Sequence, residues 1–285
     1  MMAHVAEASE ASGRVLFVLE PGSGDISVCA QVASQFAASF NAEIETVVVN
    51  TDALARAKML PVATWCPLRE CTPEGEQFSD GLSSLLQLRQ LRAIERAARR
   101  QGVRVFHTAV AGELVDQLDG LCLSRGPWNV VVLSHPLCES TGQAASAIFA
   151  NVSGATGVVA APARLANETG PIAIVVEDGE RLPAMLRAAG RLKGLCGRVH
   201  VLVAADRRKE MEELESHVRL MTANHRGLVI EPSTPVLGVA GALDEALRAL
   251  KTSFIVARLG GTLLPHARAL ARTVTIARAP VLLVR

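Results

Sequence analysis

The chain has 285 residues, 49% of them hydrophobic, 20% charged and 3% aromatic, with no Tyr and a formal net charge of +1. That length suits two domains with a core each, built from Leu, Val, Ile and Ala, and the near-neutral charge excludes a general pull toward nucleic acid or anionic membrane. No apolar run approaches the ~18 residues that would span a bilayer, so membrane insertion is not expected.

Residues 1–13 carry Glu7 and Glu10 and have no apolar centre, so they read as a disordered tail and not as a secretory signal; the expected location is cytoplasmic. Val15-Leu16-Phe17-Val18-Leu19 is a short, wholly apolar run, the pattern of a strand buried on both faces of a parallel sheet. Glu20-Pro21-Gly22-Ser23-Gly24-Asp25 breaks it. Val28, Val32, Phe36 and Phe40 then recur at helical spacing, and residues 44–49 supply the next β-branched run.

The connection 51–80 is irregular: a short helix is expected over 53–59, and Pro61, Pro67 and Pro73 argue against a longer one. Trp65 and Leu68 are expected to fold onto the sheet edge. Ser79-Asp80 predicts a helix cap, and Leu82, Leu85, Leu86, Ile94 and Ala98 mark the buried face of a long helix. Its other face carries Arg89, Arg92, Arg96, Arg99 and Arg100, with Glu95 the one acid interleaved. Without aromatic side chains for base stacking, these arginines read as a solvated face and not as a nucleic-acid surface. Strands are expected at 103–106, 129–133 and 158–160.

After a linker over 162–170 the order returns. Ile172-Ala173-Ile174-Val175-Val176 leads into Glu177-Asp178-Gly179-Glu180, a helix through Leu195 and a strand over 199–204. A helix over 210–221 and strands over 228–230, 253–257 and 281–284 follow. Val110-Ala111-Gly112-Glu113-Leu114 is echoed by Val239-Ala240-Gly241-Ala242-Leu243 at the corresponding place. Two echoes in one order mean one β/α unit used twice. The predicted fold is α/β: two tandem, doubly wound, five-stranded and mostly parallel sheets flanked by helices, over residues 14–163 and 170–285.

Cys29, Cys122 and Cys196 fall in or at the ends of predicted helices, as small core residues do. Cys66 and Cys71 lie in the Pro-containing connection without C-x-x-C spacing and without a second pair, so no metal or redox site is predicted.

Phe40-Asn41-Ala42-Glu43-Ile44, Asn129-Val130-Val131-Val132-Leu133 and Ala279-Pro280-Val281-Leu282-Leu283-Val284 resemble a second-strand entry, fourth strand and final strand of the universal stress protein family. Leu60-Pro61 and then Cys71 before a long helix resemble its tandem members, and the likeness covers nearly the whole chain after Gly13. The resemblance implies a Rossmann-like fold of the adenine nucleotide α-hydrolase type. It also implies a cytoplasmic protein of the stress response that acts through protein partners. Single-domain members pair through their last strands, so the apolar runs 158–160 and 281–284 are expected to be neighbours in an intramolecular pseudo-dimer, with a homodimer left open.

In nucleotide-binding members an Asp after the first strand contacts the adenosine, and G-x-x-G, nine residues, then G-S or G-T hold the phosphates. Glycines let backbone N–H groups approach phosphate oxygens. The first half has Ser134-His135-Pro136-Leu137 there, with no N–H on Pro136 and a Cβ on Leu137, and Ala144-Ala145 for the Gly-Ser pair. The second half has Ala257-Arg258-Leu259-Gly260, followed by Gly261-Thr262. Glu20 and Glu177-Asp178 occupy the Asp positions. Asp178, Arg258, Gly260, Gly261 and Thr262 are therefore the candidates for a residual nucleotide site.

His135 and His266 lack an acid and a nucleophile at suggestive spacing and read as surface residues. The expected function is a non-catalytic regulatory or binding module with its nucleotide sites largely lost, without catalytic residues, metal or cofactor. The alternative is an ATP- or adenosine-phosphate-binding protein that keeps a weak site in the second half. A small-molecule enzyme of the related α-hydrolase group ranks behind both, for want of a Cys/His or Ser/His constellation.

Overall fold

The structure is a computed structural model and describes residues 13–20, 24–49, 77–110, 112–125, 129–136, 138–167, 169–196, 198–205, 207–223, 228–230, 242–261 and 263–285. The tail over 1–12, the short helix expected over 53–59, Trp65, Cys66, Leu68, Cys71, Leu137 and Thr262 lie outside the described residues.

The first half runs β1 (Arg14–Leu19), α1 (Ser27–Ser39), β2 (Glu43–Val49), α2 (Gln77–Arg100), β3 (Val105–Val110), α3 (Leu114–Arg125), β4 (Asn129–Leu133), α4 (Glu139–Asn151) and β5 (Gly157–Ala160). The second half runs β6 (Ile172–Val176), α5 (Leu182–Cys196), β7 (Val199–Val203), α6 (Arg208–Thr222), β8 (Leu228–Ile230), α7 (Ala242–Leu250), β9 (Phe254–Ala257), α8 (Ala267–Ala277) and β10 (Val281–Val284). The strands form one sheet of ten in the order β3-β2-β1-β4-β5-β10-β9-β6-β7-β8. Pairing is parallel within each half. At the seam β5 and β10 run antiparallel, Val281 opposite Ala160 and Val284 opposite Gly157, so the two apolar runs 158–160 and 281–284 are neighbours.

Apolar runs form the strands with both faces covered, Asn129 being the one polar residue among them: every residue of β4, β6, β9 and β10 is buried. Alternate residues serve opposite cores, Val15, Phe17 and Leu19 on one side of β1 and Leu16 and Val18 on the other. Helices α1, α2, α5 and α6 cover the first face, and α3, α4, α7 and α8 the second. Each core layer takes residues from both halves, so the faces of the sheet divide the core. Across the seam α1 packs on α5 and α4 on α8. A Cβ at Gly142 of α4 would stand 2.8 Å from the Ala267 carbonyl oxygen of α8, so the bare backbone lets these helices meet.

Three local expectations change. Helix α2 starts at Gln77, which puts Ser79 and Asp80 inside its first turn and not at the cap. Leu85 and Leu86 are 64% and 51% exposed, whereas Ile94 and Ala98 are buried. A 24-residue helix is roughly 36 Å long and a six-residue strand roughly 20 Å, so the C-terminal part of α2 suffices to cover its strands. The five arginines of α2 are exposed. Strand β3 occupies Val105–Val110 and not 103–106, because Gly102, at φ +68°, ends α2 and the Val103 N–H turns back to the Ala98 carbonyl at 3.0 Å. On β2, buried Glu45 is held by the Arg14 guanidinium and the Thr108 hydroxyl, each donating at 2.6 Å. Among the described residues no helix is long and apolar enough to cross a membrane.

Candidate functional site

In a doubly wound sheet, ligands bind beyond the C-terminal ends of the strands where the strand order reverses. That happens between β6 and β9 in the second half and between β1 and β4 in the first. Loops 177–181 and 258–266 meet at the second-half position. The Asp178 carboxylate accepts from the Arg258 guanidinium through Oδ2 and from the Arg181 N–H through Oδ1, the latter at 3.2 Å. Glu177 Oε1 accepts from the Leu263 N–H at 2.6 Å. A Cβ on Gly261 would stand 1.9 Å from Glu177 Oε2, so this carboxylate lies directly on the loop backbone. Gly260 sits at φ +83°, where glycine is favoured, and its N–H donates to the Leu264 carbonyl at 2.8 Å.

The structure therefore brings Asp178 together with Arg258, and Gly261 together with Glu177, a residue that the sequence pattern ranks only as a filler of the Asp position. Thr262 is outside the described residues. His266 heads α8, its Nδ1 accepting from the Ala269 N–H at 3.2 Å. Chemically, the loop holds an anion through the Leu263 N–H, and that anion is the protein's own Glu177 carboxylate.

The first-half position is built differently. His135 Nε2 stands 3.9 Å from Glu20 Oε2, and the Glu20 N–H donates to the Ser134 hydroxyl at 3.4 Å. The Ser134 N–H continues the sheet by donating to the Val18 carbonyl at 3.0 Å. Pro136 offers no donor, and α4 begins at Glu139, so the N–H groups of Ala144 and Ala145 belong to a helix already under way. Ala145 is wholly buried.

Cys138 is the N-cap residue of α4, exposed, with Sγ 3.0 Å from the Ser140 hydroxyl and 3.1 Å from that of Thr141. Hydrogen bonds from Ser140 and then Thr141 pull its thiol down to about 7, whereas burial pushes Cys29 and Cys122 up to about 12. Sequence reasoning passes over Cys138 because it has no partner at a metal or redox spacing; the available signal is Ser140 and Thr141 just behind it at the head of a helix. Among the described residues no group of three or more His, Cys, Asp or Glu side chains is placed to hold a metal ion.

No family model matches the sequence, and no curated protein does. Solved structures do match. A universal stress protein from Archaeoglobus fulgidus DSM 4304 superposes with a TM-score of 0.58 and 10% identity, over 95% of this chain and 96% of that one. The chain has the universal stress protein fold. A putative universal stress protein from Pseudomonas aeruginosa UCBPP-PA14 gives 0.53 and 13% identity, over 96% and 93% of the two chains. At such identities the likeness is one of fold, and the universal stress protein scaffold here carries two strand-end loops that differ from each other in length, donors and charge.

Proposed function

We propose that the protein is a non-catalytic, universal stress protein-like regulatory module, an intramolecular pseudo-dimer whose two nucleotide positions are largely lost, the first for want of backbone donors and the second to its own Glu177 carboxylate, and that it acts in a stress response through protein partners. The observation that carries this is Glu177: its carboxylate accepts the Leu263 N–H and lies against Gly261, in the space a phosphate oxygen would need. The Gly260 N–H is engaged by Leu264, and the charge of Arg258 is matched by Asp178. A phosphate would have to displace a charge-assisted bond worth about 1.5–3 kcal/mol and approach an uncompensated carboxylate.

In the first half, Pro136 and the early start of α4 support the same reading. The antiparallel β5–β10 seam and the core layers common to both halves support the pseudo-dimer. Titration calorimetry of the full chain with ATP and magnesium is the test. The expected result is no saturable heat, or a dissociation constant of roughly millimolar or weaker, given about a tenfold loss per 1.4 kcal/mol. A low-micromolar constant would establish an ATP-binding protein instead.

A further inference from the structure

Helix α2 presents a charged stripe that its counterpart in the second half does not share. Leu85, Arg89, Arg92, Arg96 and Arg99 follow one another at steps of four, three, four and three residues. Those steps set them along one side of the helix over roughly 21 Å. All five are exposed. The space over the stripe, about 520 Å³, is lined among the described residues by α2 alone, with Leu88 beside Leu85 at its apolar end.

Helix α6 precedes the third strand of the second half as α2 precedes that of the first, and the two differ in pairing. On α6 the exposed cations meet acids one turn away: Arg208 with Glu212 at 3.0 Å, Lys209 with Glu213 at 3.7 Å and Arg219 with Glu215 at 2.6 Å. On α2 the interleaved acid, Glu95, stands 3.1 Å from His107 Nε2 of β3, and Arg89 has Asp25 as an electrostatic neighbour. Among the described residues Arg92, Arg96 and Arg99 stand in no ion pair. The Arg96 Nε donates to the Arg92 carbonyl at 3.2 Å, which uses one of its five N–H groups. Like charges three and four residues apart repel along a helix, so this stripe is relieved by carboxylates brought from outside.

Spacing and charge together select the partner. The steps recur about every 5 Å along α2, as they do along a second helix, whereas same-face residues of an extended chain recur about every 7 Å. Between Leu85 and Arg99 there is no aromatic side chain on which a base could stack. Ile94 and Ala98 are buried in the core, so α2 has no continuous apolar face to lay in a bilayer. We infer that this stripe is the docking surface for an acidic helix of a partner protein. Its carboxylates, at three- and four-residue spacing, meet Arg92, Arg96 and Arg99, and an apolar side chain at one end meets Leu85. This surface gives a place to the partner in the reading above, which is tested by calorimetry with ATP, whereas the peptide below tests α2 alone.

Fluorescence anisotropy of the full chain with a labelled helical peptide of about 21 residues is the experiment, the peptide carrying Glu at the matching steps and Leu at one end. A peptide of the same composition with its glutamates spread round the helix, a single-stranded RNA and phosphatidylserine vesicles run in parallel. The patterned peptide is expected to bind saturably at one per chain and at least about tenfold more tightly than any of the three. Its affinity should fall at least about tenfold between roughly 50 and roughly 500 mM salt. The triple variant Arg92→Glu, Arg96→Glu, Arg99→Glu should lose at least about tenfold. A peptide with Lys in place of Glu should bind that variant at least about tenfold more tightly than it binds the parent, a reversal that a misfolded variant cannot give. Absence of saturable binding, affinity for the spread peptide, the RNA or the vesicles within about twofold of that for the patterned one, or a triple variant within about twofold of the parent would each overturn the proposal.

Discussion

The loop after β4 spans residues 134–138 before α4 begins, and the loop after β9 spans 258–266 before α8 begins. Both follow the strand at which the order of their half reverses, and on the proposed reading the difference in length separates two ways of losing one nucleotide position. The short loop has few donors to offer: Pro136 has none, and the helix starts early behind it. The long loop keeps Gly260, Gly261 and the Leu263 N–H, but these meet the protein's own groups, Leu264 and Glu177. Closure by missing backbone donors cannot be undone by trimming a side chain, whereas closure by an internal carboxylate can.

The largest contrast lies between Cys138 at the head of α4 and the two buried cysteines, Cys29 of α1 and Cys122 of α3. With its thiol near 7, Cys138 is roughly half ionised at neutral pH, whereas Cys29 and Cys122, near 12, are ionised in roughly one part in a hundred thousand. Iodoacetamide labelling followed by peptide mass spectrometry should mark Cys138 first, at a rate that climbs through pH 7 and levels off above it. The other two should react on unfolding. The linkage has a sign as well: the folded state releases the Cys138 proton before the unfolded chain does, so between pH about 7 and 9 this group adds stability as pH rises. Cys29 and Cys122 act oppositely above pH about 9, because the unfolded thiols ionise there first. Equal labelling of Cys138 and Cys29 in the folded protein would erase the contrast.

Next in size is the removal of the internal anion. Glu177→Ala frees the Leu263 N–H and removes a negative charge, so ATP–magnesium affinity should rise by about ten- to a hundredfold in calorimetry. Glu20→Ala should raise it by much less, since Pro136 offers no N–H in the short loop. If the two substitutions behave alike, the long loop is not held shut by Glu177.

Gly142 probes how far the two loops depend on each other, because it sets the distance between α4 and α8. Gly142→Val should cost about 1–3 kcal/mol in urea unfolding by forcing a side chain onto the Ala267 carbonyl. Gly190→Ala in α5, where a Cβ meets nothing within 4 Å, should instead add up to about 1 kcal/mol. The smallest effect belongs to Asp178→Asn. Its pair with Arg258 is about one-third exposed, so the loss should stay at or below about 1 kcal/mol and shrink further in salt.

The central strands were legible because burial on both faces demands uninterrupted apolar runs, and Val15 to Leu19, Val130 to Leu133 and Ile172 to Val176 supply them. The edges were less so. Strand β3 is partly or fully exposed from Val105 to Ala109 and buried at Val110, and α2 extends beyond what its strands can cover, which leaves Leu85 and Leu86 in solvent. Of the site, Asp178, Arg258, Gly260 and Gly261 could be named from the repeat. The part played by Glu177 could not, because a carboxylate reaching a backbone N–H 86 positions away is set by how β6 and β9 pair, which no local pattern records.

The seam between β5 and β10 also sets a clock on synthesis. Ala160 emerges from the ribosome long before Val281, its partner in the sheet, exists. At roughly 5–20 residues per second, the intervening stretch takes on the order of ten seconds to make. Throughout that interval Gly157–Ala160 presents a bare, uncharged strand edge with no Lys or Pro to guard it. The nascent first half is thus at its most adhesive just when neighbouring ribosomes carry identical edges, and slow translation of the second half would favour pairing between chains over pairing within one.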